Sequence, residues 1–228
     1  PVDTSSSDPV KKYYPSKAAA RAKLPASVDI GHLVRTKDLS TVYFIGGDGE
    51  RHPFPNEATY SSWFSGFGSV KIISSSALSS MKLGDPVRVR PGTWMVKITS
   101  DPKTYIVEPG GILRWVETED VAKGLFGEKW NQRIVDVDPS YFLKYTVGAP
   151  VLNANTHTVG TVVRNKTGVY YVAEDGTLRK FKDENAVRAN GIQTRFERPS
   201  LPVDLEKTAG TSIEAIEDVL YNYQDIGR

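Results

Sequence analysis

The chain reads as a β-rich α+β protein of three tandem ββαβ-type repeats around a pseudo-threefold axis, with a propeller-like or trefoil-like closure as the alternative geometry. Three aligned features predict this. The apolar and aromatic segments Val42-Tyr43-Phe44-Ile45, Thr104-Tyr105-Ile106-Val107 and Val169-Tyr170-Tyr171-Val172 have strand composition and recur with a period of about sixty residues. Six residues after each aligned tyrosine stands a glycine (Gly49, Gly111, Gly176), and eleven residues after it a large apolar residue (Phe54, Val116, Phe181). Thirteen and fourteen residues after it come Asn56-Glu57, Thr118-Glu119 and Asp183-Glu184. A motif kept in every copy builds the packing that the copies share, so Tyr43, Tyr105, Tyr170, Phe54, Val116 and Phe181 are the expected repeat core.

Residues 1–30 precede the repeats as an N-terminal arm. The arm is rich in Ser and Pro and carries Lys11, Lys12, Lys17, Arg21 and Lys23 with no acid between Pro9 and Leu24. That composition predicts an arm with a turn or two of helix around Lys17-Ala18-Ala19-Ala20. Tyr13 and Tyr14 are its expected apolar anchors, and Lys11 and Lys12 its expected charges, in a head-to-tail contact with a neighbouring subunit. An arm folded back on its own body is the alternative.

The repeats span about 31–87, 89–151 and 160–213, together forming a domain over 31–213. Each opens with an apolar pair and a base, Leu33-Val34-Arg35, Met95-Val96-Lys97 or Val162-Val163-Arg164. A turn leads to the tyrosine strand, and Asp48-Gly49, Gly110-Gly111 or Asp175-Gly176 then reverses the chain, because glycine accepts the positive φ of a tight hairpin. The Asn, Thr or Asp before each Glu caps free N–H groups, which predicts helices over 57–64, 119–126 and 184–189. Further strands are expected over 70–73, 133–137 and 193–196. Gly84-Asp85-Pro86-Val87 and Gly148-Ala149-Pro150-Val151 close the first two repeats, whereas the third keeps only Gly210 in that place. Thr211-Ser212-Ile213-Glu214 has capping-box spacing and predicts an amphipathic C-terminal helix within 212–228.

Composition excludes several classes. With 29 basic against 27 acidic residues, the net charge of +2 gives no field for nucleic acid. The absence of cysteine removes disulfides, thiolate metal sites and a cysteine nucleophile. No apolar run is long enough to cross a bilayer. The start at Pro1 is what signal-peptide removal leaves, and simple trimming leaves the same.

No catalytic, cofactor or metal motif stands out. His32, His52 and His157 have no second ligand at metal spacing and are expected to be surface or partly buried single histidines. Gly46-Gly47-Asp48-Gly49 is explained by its hairpin. Asp136 and Asp138 share a strand face but lack a surrounding oxygen-ligand loop. Arg35, Lys97 and Arg164 align and would either ring an anion or pair with neighbouring acids. Trp115 aligns with Pro53 and Lys180, and Arg114 with His52 and Arg179. A core position would not accept Trp, Pro and Lys in turn, so Trp115 and Arg114 are expected together on a surface that binds a partner or a glycan.

The run from Leu33-Val34-Arg35 through Asp48-Gly49-Glu50-Arg51-His52-Pro53-Phe54-Pro55-Asn56-Glu57 and Ser62-Trp63-Phe64 is continued by Arg90-Pro91-Gly92-Thr93 and Glu108-Pro109-Gly110-Gly111-Ile112-Leu113-Arg114-Trp115-Val116. It resembles tandem repeats of secreted or cell-surface proteins from uncultured bacteria. The resemblance implies an extracellular setting and a structural or attachment role, and it brings no catalytic residue. The leading expectation is a secreted, non-enzymatic structural protein that self-assembles through its arm into a filament, tube or surface layer. A carbohydrate-binding or adhesive module is the alternative.

Overall fold

The computed structural model describes residues 17–217. Lys11, Lys12, Tyr13 and Tyr14, and the part of the expected C-terminal helix beyond Glu217, lie outside the described residues. The described chain is a β-rich α+β protein with three open mixed sheets, none closed into a barrel, and short helices. It falls into two compact units, one of residues 17–57 and 66–88, the other of residues 58–65 and 89–217.

The first unit holds helix α1 (Lys17–Arg21), strands β1 (Leu33–Arg35), β2 (Tyr43–Ile45) and β3 (Arg51–Pro53), strand β4 (Val70–Ile72) and helix α3 (Ser75–Ser79). Helix α2 (Glu57–Trp63) leaves this unit after its first residue. The sheet order is β3-β2-β1-β4, antiparallel except where β1 meets β4. Its core joins Leu24, Val28, Val34, Ile45, Leu78 and Met81. From Lys17 onward the segment expected as an arm follows the alternative, folded back on its own sheet. Ala20, Leu24 and Val28 are small or apolar at helix-like spacing, and burying them fastens this segment to its own sheet. Gly49 shows how close the approach is: its φ is +79°, and a Cβ there would fall 2.8 Å from the Ala20 carbonyl oxygen.

The second unit carries two sheets. Strands β5 (Met95–Lys97), β6 (Tyr105–Glu108), β7 (Ile112–Trp115), β8 (Ile134–Asp136) and β9 (Thr146–Val147) stand in the order β8-β5-β6-β7-β9. Strands β10 (Val162–Asn165), β11 (Gly168–Val172), β12 (Leu178–Lys180) and β13 (Arg198–Pro199) stand in the order β12-β11-β10-β13. Helices α4 (Glu119–Phe126), α5 (Pro139–Phe142), α6 (Glu184–Ala189) and α7 (Pro202–Glu206) lie between and after them. Thr118 caps α4 through its hydroxyl, and Asp183 caps α6 through two backbone N–H groups, which is why both helices start where the capping pattern places them.

Register is the same in all three sheets. Val34 faces Tyr43, Val96 faces Tyr105 and Val163 faces Tyr170; across the next ladder those tyrosines face Pro53, Trp115 and Lys180. Phe54, Val116 and Phe181 are all buried. Of the three aligned tyrosines Tyr105 is buried, whereas Tyr43 and Tyr170 are half-buried. Their rings meet cations, Arg51 at 5.1 Å from Tyr43 and Lys180 at 5.9 Å from Tyr170, and the Tyr170 hydroxyl lies 2.7 Å from that of Thr167. A phenol keeps its polar end near polar partners while its body packs inward.

Two further expectations are corrected. Residues 194–196 form a 3₁₀ turn, and the strand parallel to β10 is the later Arg198–Pro199, where proline is tolerated because β13 is an edge. Residues 211–217 are not helical. Ile213 is instead fully buried, bridges to Phe181 and donates its N–H to the Lys180 carbonyl at 2.8 Å. It thus does what Val87 and Val151 do when they donate to the Pro53 and Trp115 carbonyls.

Candidate functional site

Arg114 and Trp115 are neighbours on β7, and successive strand residues face opposite sides of a sheet. The structure accordingly separates the pair that the sequence suggested as one surface. Arg114 donates Nη1 to both Glu108 carboxylate oxygens at 3.1 and 3.2 Å and Nε to the Ala149 carbonyl. The aligned residues do the same job. His52 Nδ1 lies 2.8 Å from the Asp85 carbonyl oxygen, and Arg179 Nε donates to the Thr211 carbonyl at 2.7 Å. Each of these carbonyls belongs to the return segment that follows Gly84, Gly148 or Gly210. A Cβ at Gly84 would fall 2.3 Å from the His52 ring and one at Gly210 would fall 2.7 Å from the Arg179 side chain. Arg114 is thus first a fastener of the fold, and the pairing of polar side chain with glycine is visible in the sequence only as two separate alignments.

Trp115 is half-buried, packed against the cluster of Val96, Tyr105 and Leu113. Its free edge lines a groove of about 280 Å³ together with Lys103, Thr104, Glu117, Glu119 and Trp130. Lys103 is exposed, and its ammonium sits 5.1 Å from the centre of the Trp115 ring. Trp130, which the sequence reading did not single out, opens a 3₁₀ turn (Trp130–Arg133) and packs against the other face of the same sheet. Glu119 is tied to Lys123 at 3.1 Å. A second groove, of about 400 Å³, holds the Glu108–Arg114 pair with Asn153, Thr156 and Lys207.

The other chemical candidates are engaged in the fold. Lys97 pairs with Asp136 at 2.8 Å, and Arg164 pairs with Glu184 at 2.8 Å and with Glu197, so these two aligned bases hold acids, whereas Arg35 donates Nη1 to the Thr36 carbonyl at 3.2 Å. Asp138 caps α5. Two histidines are more buried than expected. His52 is 1% exposed, with Nε2 3.2 Å from Asp48; His157 is 5% exposed, 3.0 Å from the Pro199 carbonyl and 3.8 Å from Asp204. Burial pulls the His52 pKa down, but the Asp48 carboxylate and the Asp85 carbonyl more than offset it and the net shift is upward. For His157 burial wins, and its pKa is lowered. Among the described residues no cluster of three metal-ligating side chains occurs, and no helix is long and apolar enough to cross a membrane.

No family model and no curated protein matches the chain. Among solved structures the chain is similar to a component of the periplasmic assembly from the ESX-5 inner membrane complex, at 12% identity and a TM-score of 0.24. That match covers 85% of this chain and 65% of the other, so the chain spans less than two thirds of that neighbour.

Proposed function

We propose that the chain is a non-catalytic, extracellular carbohydrate-binding or adhesive module, with the Trp115 groove as its binding site. One observation carries this reading: two half-buried indoles, Trp115 and Trp130, wall a groove with Pro102, Val116 and Ala122, and its polar lining is Lys103, Thr104, Glu117, Thr118 and Glu119. Apolar ring walls with hydroxyl, carboxylate and ammonium groups at the rim suit a sugar, which offers C–H faces to indoles and hydroxyls to polar side chains. At about 280 Å³ the groove is at the small end of ligand clefts, matching one or two sugar rings. Lys103 occupies the space over the Trp115 ring, and being exposed and flexible it swings aside or donates to a ligand hydroxyl. Titration of the tryptophan fluorescence with a glycan panel tests the reading. Quenching in the native chain that Trp115→Ala and Trp130→Ala abolish supports it; no response to any glycan refutes it.

The self-assembling filament or layer is the second reading, and an exposed apolar sheet edge favours it. Among the described residues strand β9 pairs on one side only, with β7, and Val147 is 59% exposed, with Leu143 at 82% and Leu152 at 58% nearby in sequence. Such an edge is a template for another chain. The shared strand order and register support treating the three sheets as copies of one unit, and the pseudo-threefold arrangement is the extension of that proposal. Electron microscopy of the purified chain, with Val147→Lys as the control, tests assembly directly.

A further inference from the structure

Three arginines of the second unit, Arg133, Arg195 and Arg198, lie close together, and no carboxylate pairs with any of them among the described residues. Arg133 donates Nη1 to the Arg195 carbonyl at 2.8 Å. Arg195 is exposed, donates Nη2 to the Ser61 carbonyl at 2.6 Å and lays its guanidinium 4.7 Å from the Phe196 ring centre. Arg198 is 4% exposed, donates Nη2 to the Thr93 carbonyl at 3.1 Å and packs 4.9 Å from the Phe126 ring centre. Its Nε is buried without a hydrogen-bond partner. Glu197, which stands between Arg195 and Arg198 in sequence, is turned to Arg164 instead.

Burying the Arg198 guanidinium against a carbonyl and a ring, beside the half-buried Arg133 and with no opposite charge, is unfavourable unless something else supplies that charge. The direction of the pKa shifts follows from the same geometry. Burial and then the field of Arg133 lower the Arg198 pKa to about 10, and burial and then Arg195 lower that of Arg133. Arginine's planar fork suits oxyanions with paired oxygens. We propose that Arg133, Arg195 and Arg198 form a site for an oxyanion substituent, a carboxylate or sulfate, carried by an acidic polysaccharide. The glycan part rests on the reading of the Trp115 groove. Trp130 and Arg133 open and close one 3₁₀ turn, and side chains three apart on such a turn fall in line, so the turn links the groove to the arginine cluster.

The test compares polygalacturonate, dextran sulfate and neutral dextran by affinity electrophoresis at low and moderate salt. The native chain is expected to be retarded by at least one acidic polymer and not by dextran, with polygalacturonate and dextran sulfate distinguishing carboxylate from sulfate. Arg133→Gln/Arg195→Gln is expected to weaken that binding at least tenfold with the circular dichroism spectrum unchanged; Arg195→Gln alone, at an exposed position, serves if the pair fails to fold. Unaltered binding by a folded variant would overturn the proposal. Equal retardation by polyglutamate would show net charge alone at work and would overturn it too. So would binding that appears only after Asp218→Asn/Asp225→Asn, because the chain's own C-terminal segment would then be the occupant. Loss of acidic-polymer binding in the arginine variants with no effect of Trp115→Ala keeps the oxyanion site and removes the groove reading. The reverse pattern keeps the groove and removes the oxyanion site.

Discussion

At His52 the first sheet has a titratable side chain at the ladder position where the other two sheets have permanent cations, Arg114 and Arg179. Both ring nitrogens face acceptors, Nδ1 the Asp85 carbonyl at 2.8 Å and Nε2 the Asp48 carboxylate at 3.2 Å, so only the imidazolium donates to both. Glu50 adds a negative field and is itself paired to Lys82; Arg51 donates Nε to the Met81 carbonyl and lies over the Tyr43 ring. Because the folded pKa of His52 is raised above 6.5, its stabilisation is complete below that pH and is lost as pH rises through the folded value. Losing one charge-assisted hydrogen bond at a site 1% exposed costs about 1.5–3 kcal/mol. In a chain of this size that corresponds to roughly 3–12 °C in Tm. Asp48 has the opposite linkage: burial, the largest single influence, pushes its pKa up, but the His52 hydrogen bond, the Glu50 backbone N–H and the His52 charge together outweigh it and lower the pKa, so its contribution is complete above 3.8 and is lost as pH falls through the folded value. The assay is thermal unfolding by circular dichroism across pH, paired with NMR titration of the three histidine rings. The native chain should be most stable between the two windows and lose stability on the alkaline side, while His52→Gln should lose that alkaline slope. A His52 ring that titrates below an exposed histidine, or an alkaline slope that survives His52→Gln, would refute the argument.

Four other outcomes follow. Tyr105→Ala removes a buried ring in edge contact with Phe142 and should cost about 3–5 kcal/mol in chemical denaturation, well above the cost of Tyr170→Ala at a half-buried site. Gly210→Ala places a methyl 2.3 Å from the Thr177 hydroxyl and should lower Tm measurably, as Gly84→Ala should against His52. Glu217→Gln breaks the two-point contact with Arg179, 2.7 Å at each oxygen, and should increase hydrogen exchange of the Ile213 amide if that contact holds the last return segment in place. Trp115→Ala should reduce glycan-induced quenching while lowering stability only moderately, because the indole is half-buried; a loss as large as that of Tyr105→Ala would assign Trp115 to the core alone.

The sequence by itself determined the local grammar. Glycine at a hairpin and Asp, Thr or Asn before Glu act within a few residues through φ and free N–H groups, so the helices at Glu57, Glu119 and Glu184 were legible without tertiary information. The recurrence of a large apolar residue eleven positions after each aligned tyrosine likewise marked Phe54, Val116 and Phe181 as core. The tertiary structure decided what long-range partners decide. The capping-box spacing at Thr211 lost to a ladder bond between Ile213 and Lys180, because burying Ile213 against Phe181 outweighs a local helix start. The basic stretch after Lys17 joined its own sheet because Ala20, Leu24 and Val28 found an apolar bed there. Adjacent residues Arg114 and Trp115 parted to different grooves, since the strand's two-residue period separates neighbours. The cluster of Arg133, Arg195 and Arg198 joins residues sixty positions apart, and no periodicity along the chain encodes the absence of an acid beside a buried cation.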